Sequence, residues 1–216
     1  FVYSLSLAKG LIQSKDATQV LIITAETYSK FINEDSMSVR TIFGDGACAI
    51  LIDSYESETE SILYFDHGTN GEGIENLIVP NSGLRKSVDK SGQLAAEELY
   101  MNGPKILNFA LNAVPETVDK ALKKNNLEID SIDMFVFHQA NKFMLEKLQN
   151  KLGISDDKFL IALHGKGNTT SSTIPIALKD GIDEKVITKD MNVLICGFGV
   201  GYSWSTGIIR LNKYAI

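Results

Sequence analysis

Two short segments hold polar residues whose types and spacing suit work on a carbonyl oxygen. Phe137-His138-Gln139-Ala140-Asn141 puts a histidine directly behind an apolar strand-like run and ahead of a helix expected from about Asn141. Thirty residues after the histidine, Gly167-Asn168-Thr169-Thr170-Ser171-Ser172 puts an asparagine before a helix-start composition. A neutral imidazole and a side-chain amide each offer an N–H donor. Aimed at one thioester oxygen, the two would stabilise the negative charge that gathers there in an enolate. Taken singly, His138 reads as a residue closing a strand-helix turn, and Asn168 as a helix cap. Together, with the histidine at the carboxyl end of a strand where α/β sheets form their crevices, they read as a donor pair.

The other candidates divide quickly. Gly197-Phe198-Gly199-Val200-Gly201 lies between two apolar strand-like runs, so it lacks the following helix that a dinucleotide fingerprint needs. Locally it reads as a tight hairpin whose glycines supply positive φ. His164 reads as structural or solvent-facing, and His67 as part of a turn, Phe65-Asp66-His67-Gly68-Thr69. Three scattered histidines give no metal-ligand spacing, so no metal is expected. Cys48 and Cys196 both fall in apolar strand-like runs and read as inert buried thiols, which fits a reducing cytoplasm.

These residues need a frame. Residues 1–14 suit a helix buried on most sides; Val20 to Thr24 and Ala47 to Ile52 suit buried strands, with polar loop from Asn33 to Ser38. Thr69 to Gly92 reads as connection, with one apolar island at Leu77-Ile78-Val79-Pro80 that suits a short edge strand. Ala95 to Lys124 reads as one helix kinked at Pro115. After it the chain alternates: strand Met134 to Phe137, helix Lys142 to Leu152, strand Phe159 to Ala162, helix Thr170 to Gly181, strand Asn192 to Cys196 and strand Ser203 to Leu211. Such alternation predicts a layered α/β architecture with helices over a mixed sheet. With 216 residues and 44% apolar content the chain can bury a core. Its net charge of -6, with no long basic run, argues against nucleic acid. No apolar run has membrane-spanning length, and the first residues lack a signal-peptide pattern.

The histidine and asparagine segments, with Phe43-Gly44-Asp45-Gly46-Ala47 upstream and Gly197-Phe198-Gly199-Val200-Gly201-Tyr202-Ser203-Trp204 downstream, resemble the β-ketoacyl-acyl carrier protein synthase III family from Phe1 to about Leu211. The resemblance implies the thiolase-like αβαβα fold, incomplete: residues 1–94 as the end of its first half with a connecting loop, and 95–216 as the complete second half. It implies His138 and Asn168 as catalytic residues, with Phe198, Gly199, Val200 and Gly201 forming an active-site loop whose amide at Val200 is half of an oxyanion hole. It also implies that the nucleophilic cysteine, in a Cys-Xaa-Gly-Phe segment, would precede Phe1, so the chain as it stands is expected not to self-acylate. The turn at Phe43 reads as structural, bringing its strand to a dimer interface.

The implied reaction is decarboxylating condensation of an acyl thioester with malonyl-acyl carrier protein, by a cytoplasmic homodimer. No cofactor is implied beyond substrates carried on the phosphopantetheine of coenzyme A or acyl carrier protein. Lys142 and Phe143 stand where a carrier contact is expected. Arg40 lies nearer the Phe-Gly-Asp-Gly turn than the arginine with which many members stack on adenine, so carrier-protein donors are expected to be preferred. Two other readings remain: a related acyltransferase or polyketide-starter enzyme that does not decarboxylate, and a non-catalytic carrier-binding fragment.

Overall fold

The computed structural model describes residues 1–88, 90–94 and 96–211. Helix α1 spans Val2–Gln13, strand β1 Gln19–Glu26, the short helix α2 Met37–Arg40 and strand β2 Gly46–Asp53. Then come β3 (Ile62–Thr69), β4 (Leu77–Ile78), β5 (Tyr100–Met101) and α3 (Gly103–Lys124). The chain ends with β6 (Met134–Phe137), α4 (Lys142–Leu152), α5 (Thr173–Asp183), β7 (Asn192–Gly199) and β8 (Ser203–Arg210).

The main sheet has the order β3-β8-β7-β6, with β6 and β7 parallel and the other pairs antiparallel. Alternation along β6 divides its side chains between two cores. Phe135 and Phe137 pack with residues of α3 and α4, such as Val114, Val118, Leu145 and Leu148. Met134 and Val136 pack on the other face with Val2, Leu5 and Ala8 of α1 and Ile174 and Ala177 of α5. The antiparallel pair β1-β2 lies against the far side of α1 and α5, with Ile22 joining that second core. The result is four successive layers of the αβαβα order, with a mixed sheet between two helical layers as expected.

Several expectations are corrected. The long helix starts at Gly103 rather than at 95, because the Asn102 side chain caps it by accepting from Lys105 N (3.2 Å) and Pro104 sits in its first turn. It continues through Pro115. Ala95 itself, the limit chosen for helix and half alike, lies outside the described residues, as do residues 212–216. The strand expected over Phe159 to Ala162 is reduced to a single bridge, Phe135 with Phe159. Beyond that bridge the buried side chain of Gln139 occupies the edge: its amide donates to Leu160 O (3.3 Å) and its oxygen accepts from Ala162 N (2.8 Å). Helix α1 buries one face, not most sides: Tyr3, Leu7 and Leu11 are exposed. Strands β1 and β2 likewise alternate rather than disappear into a core.

Strand β3 is the largest omission from the sequence reading, since Phe65 to Thr69 reads locally as a turn. It is a strand because it pairs with β8 from Phe65↔Gly207 to Thr69↔Ser203. Gly68 is required there: a Cβ would stand 2.2 Å from the Trp204 ring.

Candidate active site

A cleft of about 730 Å³ opens where the carboxyl end of β6, the start of α5, the amino end of α1 and the β7-β8 turn converge. His138 and Asn168 both line it, as do Phe198, Gly199 and Val200; Gly201 does not. Gly197 and Gly199 belong to β7, and neither they nor Gly201 has the positive φ expected of hairpin glycines. At Gly197 the missing side chain instead admits α1, since a Cβ would meet Val2 at 3.3 Å.

His138 leaves β6 with its backbone N–H donated to Cys196 O of the parallel neighbour β7 (2.8 Å), which extends the ladder by one residue and fixes where the ring begins. The ring is held on two sides. Phe198 meets it edge to face at 5.4 Å between centroids, and Nδ1 lies 2.7 Å from Thr173 Oγ1. The nitrogen left for a ligand is Nε2. Desolvation by these walls pushes the His138 pKa down to about 4, against a weaker opposing effect of the Thr170 backbone. The imidazole is therefore neutral at physiological pH and carries one N–H.

Asn168 is buried, and its side-chain orientation is settled by its neighbours. Its Oδ1 accepts the backbone N–H of Thr170 (2.9 Å), so the amide NH₂ is the end available to the cleft. The helix begins after it as a 3₁₀ turn, Thr170–Ser172, before α5 proper. The backbone of Asn168 is pinned as well. Its N–H donates to Ile42 O (2.8 Å) and its carbonyl accepts from Gly44 N (3.0 Å), a parallel bridge between Asn168 and the Phe43 turn. The approach is close: a Cβ on Gly44 would stand 2.2 Å from Lys166 O, and one on Gly167, whose φ is +66°, would stand 2.8 Å from Ile42 O. The Phe43-Gly44-Asp45-Gly46 segment therefore positions the asparagine, a role the sequence reading did not give it.

The rest of the histidine segment is structural. Gln139 ties the strand end to residues 160–162, and Asn141 caps α4 by accepting from Met144 N (2.9 Å). Lys142 and Phe143 follow on the exposed first turn of α4, with Lys147 over the Phe143 ring at 5.5 Å; neither residue lines the cleft. Arg40 donates to Glu34 O (2.8 Å) within its own loop. His164 is exposed and away from the cleft, as expected. His67 departs from its reading: it stands on β3 in the cleft wall, with Nδ1 2.8 Å from Ser205 Oγ on the facing strand. Cys196 is buried in β7, its thiol pushed up to about 12 by burial, and the half-buried thiol of Cys48 in β2 is raised for the same reason. Neither cysteine lines the cleft. Among the described residues, no group of His, Cys, Asp and Glu is arranged to hold a metal ion. No helix among them is long and apolar enough to cross a membrane.

Two residues of the site escaped the sequence reading, Thr170 and Thr173. Thr173 touches the histidine, and the Thr170 hydroxyl is buried in the cleft wall without a hydrogen-bond partner. The run Thr169-Thr170-Ser171-Ser172-Thr173 signals only a helix start; its spacing to His138 exists in the fold alone.

Comparison with known proteins gives one consistent result. The family described as 3-Oxoacyl-[acyl-carrier-protein (ACP)] synthase III matches residues 1–71, and its C-terminal counterpart matches residues 122–211. A curated relative from Clostridium perfringens, named β-ketoacyl-[acyl-carrier-protein] synthase III, is 34% identical over 211 residues, covering 98% of this chain and 65% of its own length. A crystal structure of a 3-oxoacyl-(acyl-carrier-protein) synthase III superposes with a TM-score of 0.90 at 42% identity, covering 98% of this chain and 66% of that one. The priming β-ketosynthase from the R1128 polyketide pathway superposes with a TM-score of 0.87 at 26% identity, over 98% of this chain and 63% of that one. The chain thus spans about 65% of the length of the curated relatives it matches.

Proposed function

The chain belongs to the 3-oxoacyl-[acyl-carrier-protein] synthase III family, and from that premise we propose that its cleft serves the decarboxylating condensation of an acyl thioester with malonyl-acyl carrier protein. The observation that carries the proposal is the convergence of His138 and Asn168 on one cleft, each with its other polar atom already engaged. When the malonyl carboxylate leaves as carbon dioxide, the electron pair of the broken C–C bond passes into the thioester carbonyl and its oxygen becomes an enolate. Nε2 of His138 and Nδ2 of Asn168 are the donors for that oxygen. The enolate carbon then attacks the acyl thioester carbonyl, whose C–S bond breaks with release of the thiolate. An acyl-bearing thiol at the amino end of α1 would face this cleft, where the helix dipole favours a thiolate. The Val200 amide is assigned to the oxygen of that second carbonyl.

The proposal extends to a cytoplasmic homodimer that needs no cofactor of its own. Its substrates ride on phosphopantetheine, with Lys142 and Phe143 on α4 meeting the carrier. The two free cysteines suit a reducing compartment.

The test is carbon dioxide release from a malonyl thioester. His138→Ala and Asn168→Asp should each slow it by about a hundredfold or more, since one such donor is worth roughly 2–4 kcal/mol of barrier. Wild-type rates in both variants would remove the assignment. Formation of an ester or amide without carbon dioxide would favour the non-decarboxylating acyltransferase instead.

A further inference from the structure

A neutral imidazole has one N–H, so His138 can donate to a thioester oxygen only if that proton sits on Nε2 and Nδ1 is bare. What stands at Nδ1 therefore decides what Nε2 can do. The group there is the buried hydroxyl of Thr173, at 2.7 Å. That hydroxyl has one proton and two acceptors within reach, His138 Nδ1 and the Thr170 carbonyl at 2.9 Å. If the proton goes to Thr170 O, then Nδ1 must carry the ring proton and Nε2 turns a lone pair toward the substrate oxygen, which is repulsive. If it goes to Nδ1, the ring is held with its proton on Nε2.

Resting on the donor role given to Nε2 above, we propose that Thr173 is the positioning residue of the site, its hydroxyl donating to Nδ1 and holding His138 in the Nε2–H form when a thioester oxygen is bound. Turning away from Thr170 orphans nothing, because that carbonyl also accepts the backbone N–H of Thr173. The turn frees Nε2–H for the substrate oxygen, and that bond becomes charge-assisted as the enolate forms, stronger than the neutral one given up. The backbone keeps the arrangement in register: Thr173 opens α5, while His138 is fixed by the β6-β7 ladder.

The experiment reads the tautomer directly, in the full chain, from the ¹⁵N shifts of its imidazole nitrogens, with the His138 signals identified by their loss in His138→Gln. The probe is sulfoacetyl-pantetheine, a malonyl-thioester analogue whose sulfonate replaces the departing carboxylate. In its complex Nε2 should carry the proton and Nδ1 should be bare. Thr173→Val, which keeps the shape and removes the hydroxyl, should deplete the Nε2–H form and slow malonyl decarboxylation by about tenfold or more, as loss of an orienting partner does. Thr173→Ser should restore both. A proton on Nδ1 in the wild-type complex, or a Thr173→Val variant with unchanged tautomer and rate, overturns the proposal. Should the wild type hold the Nε2–H form yet release no carbon dioxide from malonyl thioesters, the tautomer assignment stands and the condensing reaction falls.

Discussion

Strands β6 and β1 are both short apolar runs, yet the molecule uses them in opposite ways. All four residues of β6 are buried, because α3 and α4 cover one face of its sheet and α1 and α5 the other. In β1, Ile22 and Thr24 face inward while Leu21 and Ile23 stand exposed, and Leu51 of β2 continues that apolar face. The strand enclosed on both sides is the one that leads into His138, the residue proposed above to donate to the substrate oxygen. Burial there restricts the strand end, and with it the ring, to one position; a strand covered on one side offers no such constraint.

The largest effect that could break this comparison is on stability. Phe137→Ala removes a wholly buried ring touching both Phe135 and Phe159, and should lower the free energy of unfolding by about 3–5 kcal/mol. A urea titration showing a loss under about 1 kcal/mol would mean that β6 is not the rigid element described. Next in size is the acid response of His138. Its pKa of about 4 lies below the ordinary value of 6.5, so at pH values between the two the unfolded chain binds a proton that the native one refuses. Stability contributed by this residue is complete above about pH 6.5, falls as pH drops toward 4 and then levels off, a loss of about 3 kcal/mol. In His138→Gln that part of the pH dependence should vanish; urea midpoints of variant and wild type that fall in parallel between pH 6.5 and 4 would contradict the buried, neutral ring. The smallest effect belongs to the open face. Leu21→Ser should change stability by no more than about 0.5 kcal/mol, and a loss comparable with that of Phe137→Ala would show that the face is covered.

The sequence was most legible where one residue's type decides its surroundings. Helix α4 begins and ends where its residues indicate, between the Asn141 cap and the left-handed Gly153. Five of the strands followed from β-branched and aromatic runs. Legibility failed where a distant partner decides. Phe65-Asp66-His67-Gly68-Thr69 has the composition of a turn, and only its pairing with β8 makes it a strand that carries His67 into the cleft. Phe159 to Ala162 has the composition of a strand, but a glutamine side chain takes the hydrogen bonds that pairing would need. In the site, His138 and Asn168 were visible as a pair through the resemblance of their segments to the family; locally Asn168 reads as a helix cap. Thr173 was not, since its contact with His138 spans 35 residues and depends on how α5 docks.

The bridge between Asn168 and Ile42-Phe43-Gly44 joins the two stretches that match the family separately, 1–71 and 122–211. These stretches are not interchangeable cassettes. A hybrid drawing the first from one relative and the second from another would inherit half of a joint from each parent. A single methyl group on Gly44, in the half supplied by one parent, would be felt at Lys166 O in the half supplied by the other, two residues before the asparagine. The seam runs through the backbone of Asn168, so a side chain at either Gly44 or Gly167 would press on the backbone pairing that holds the asparagine.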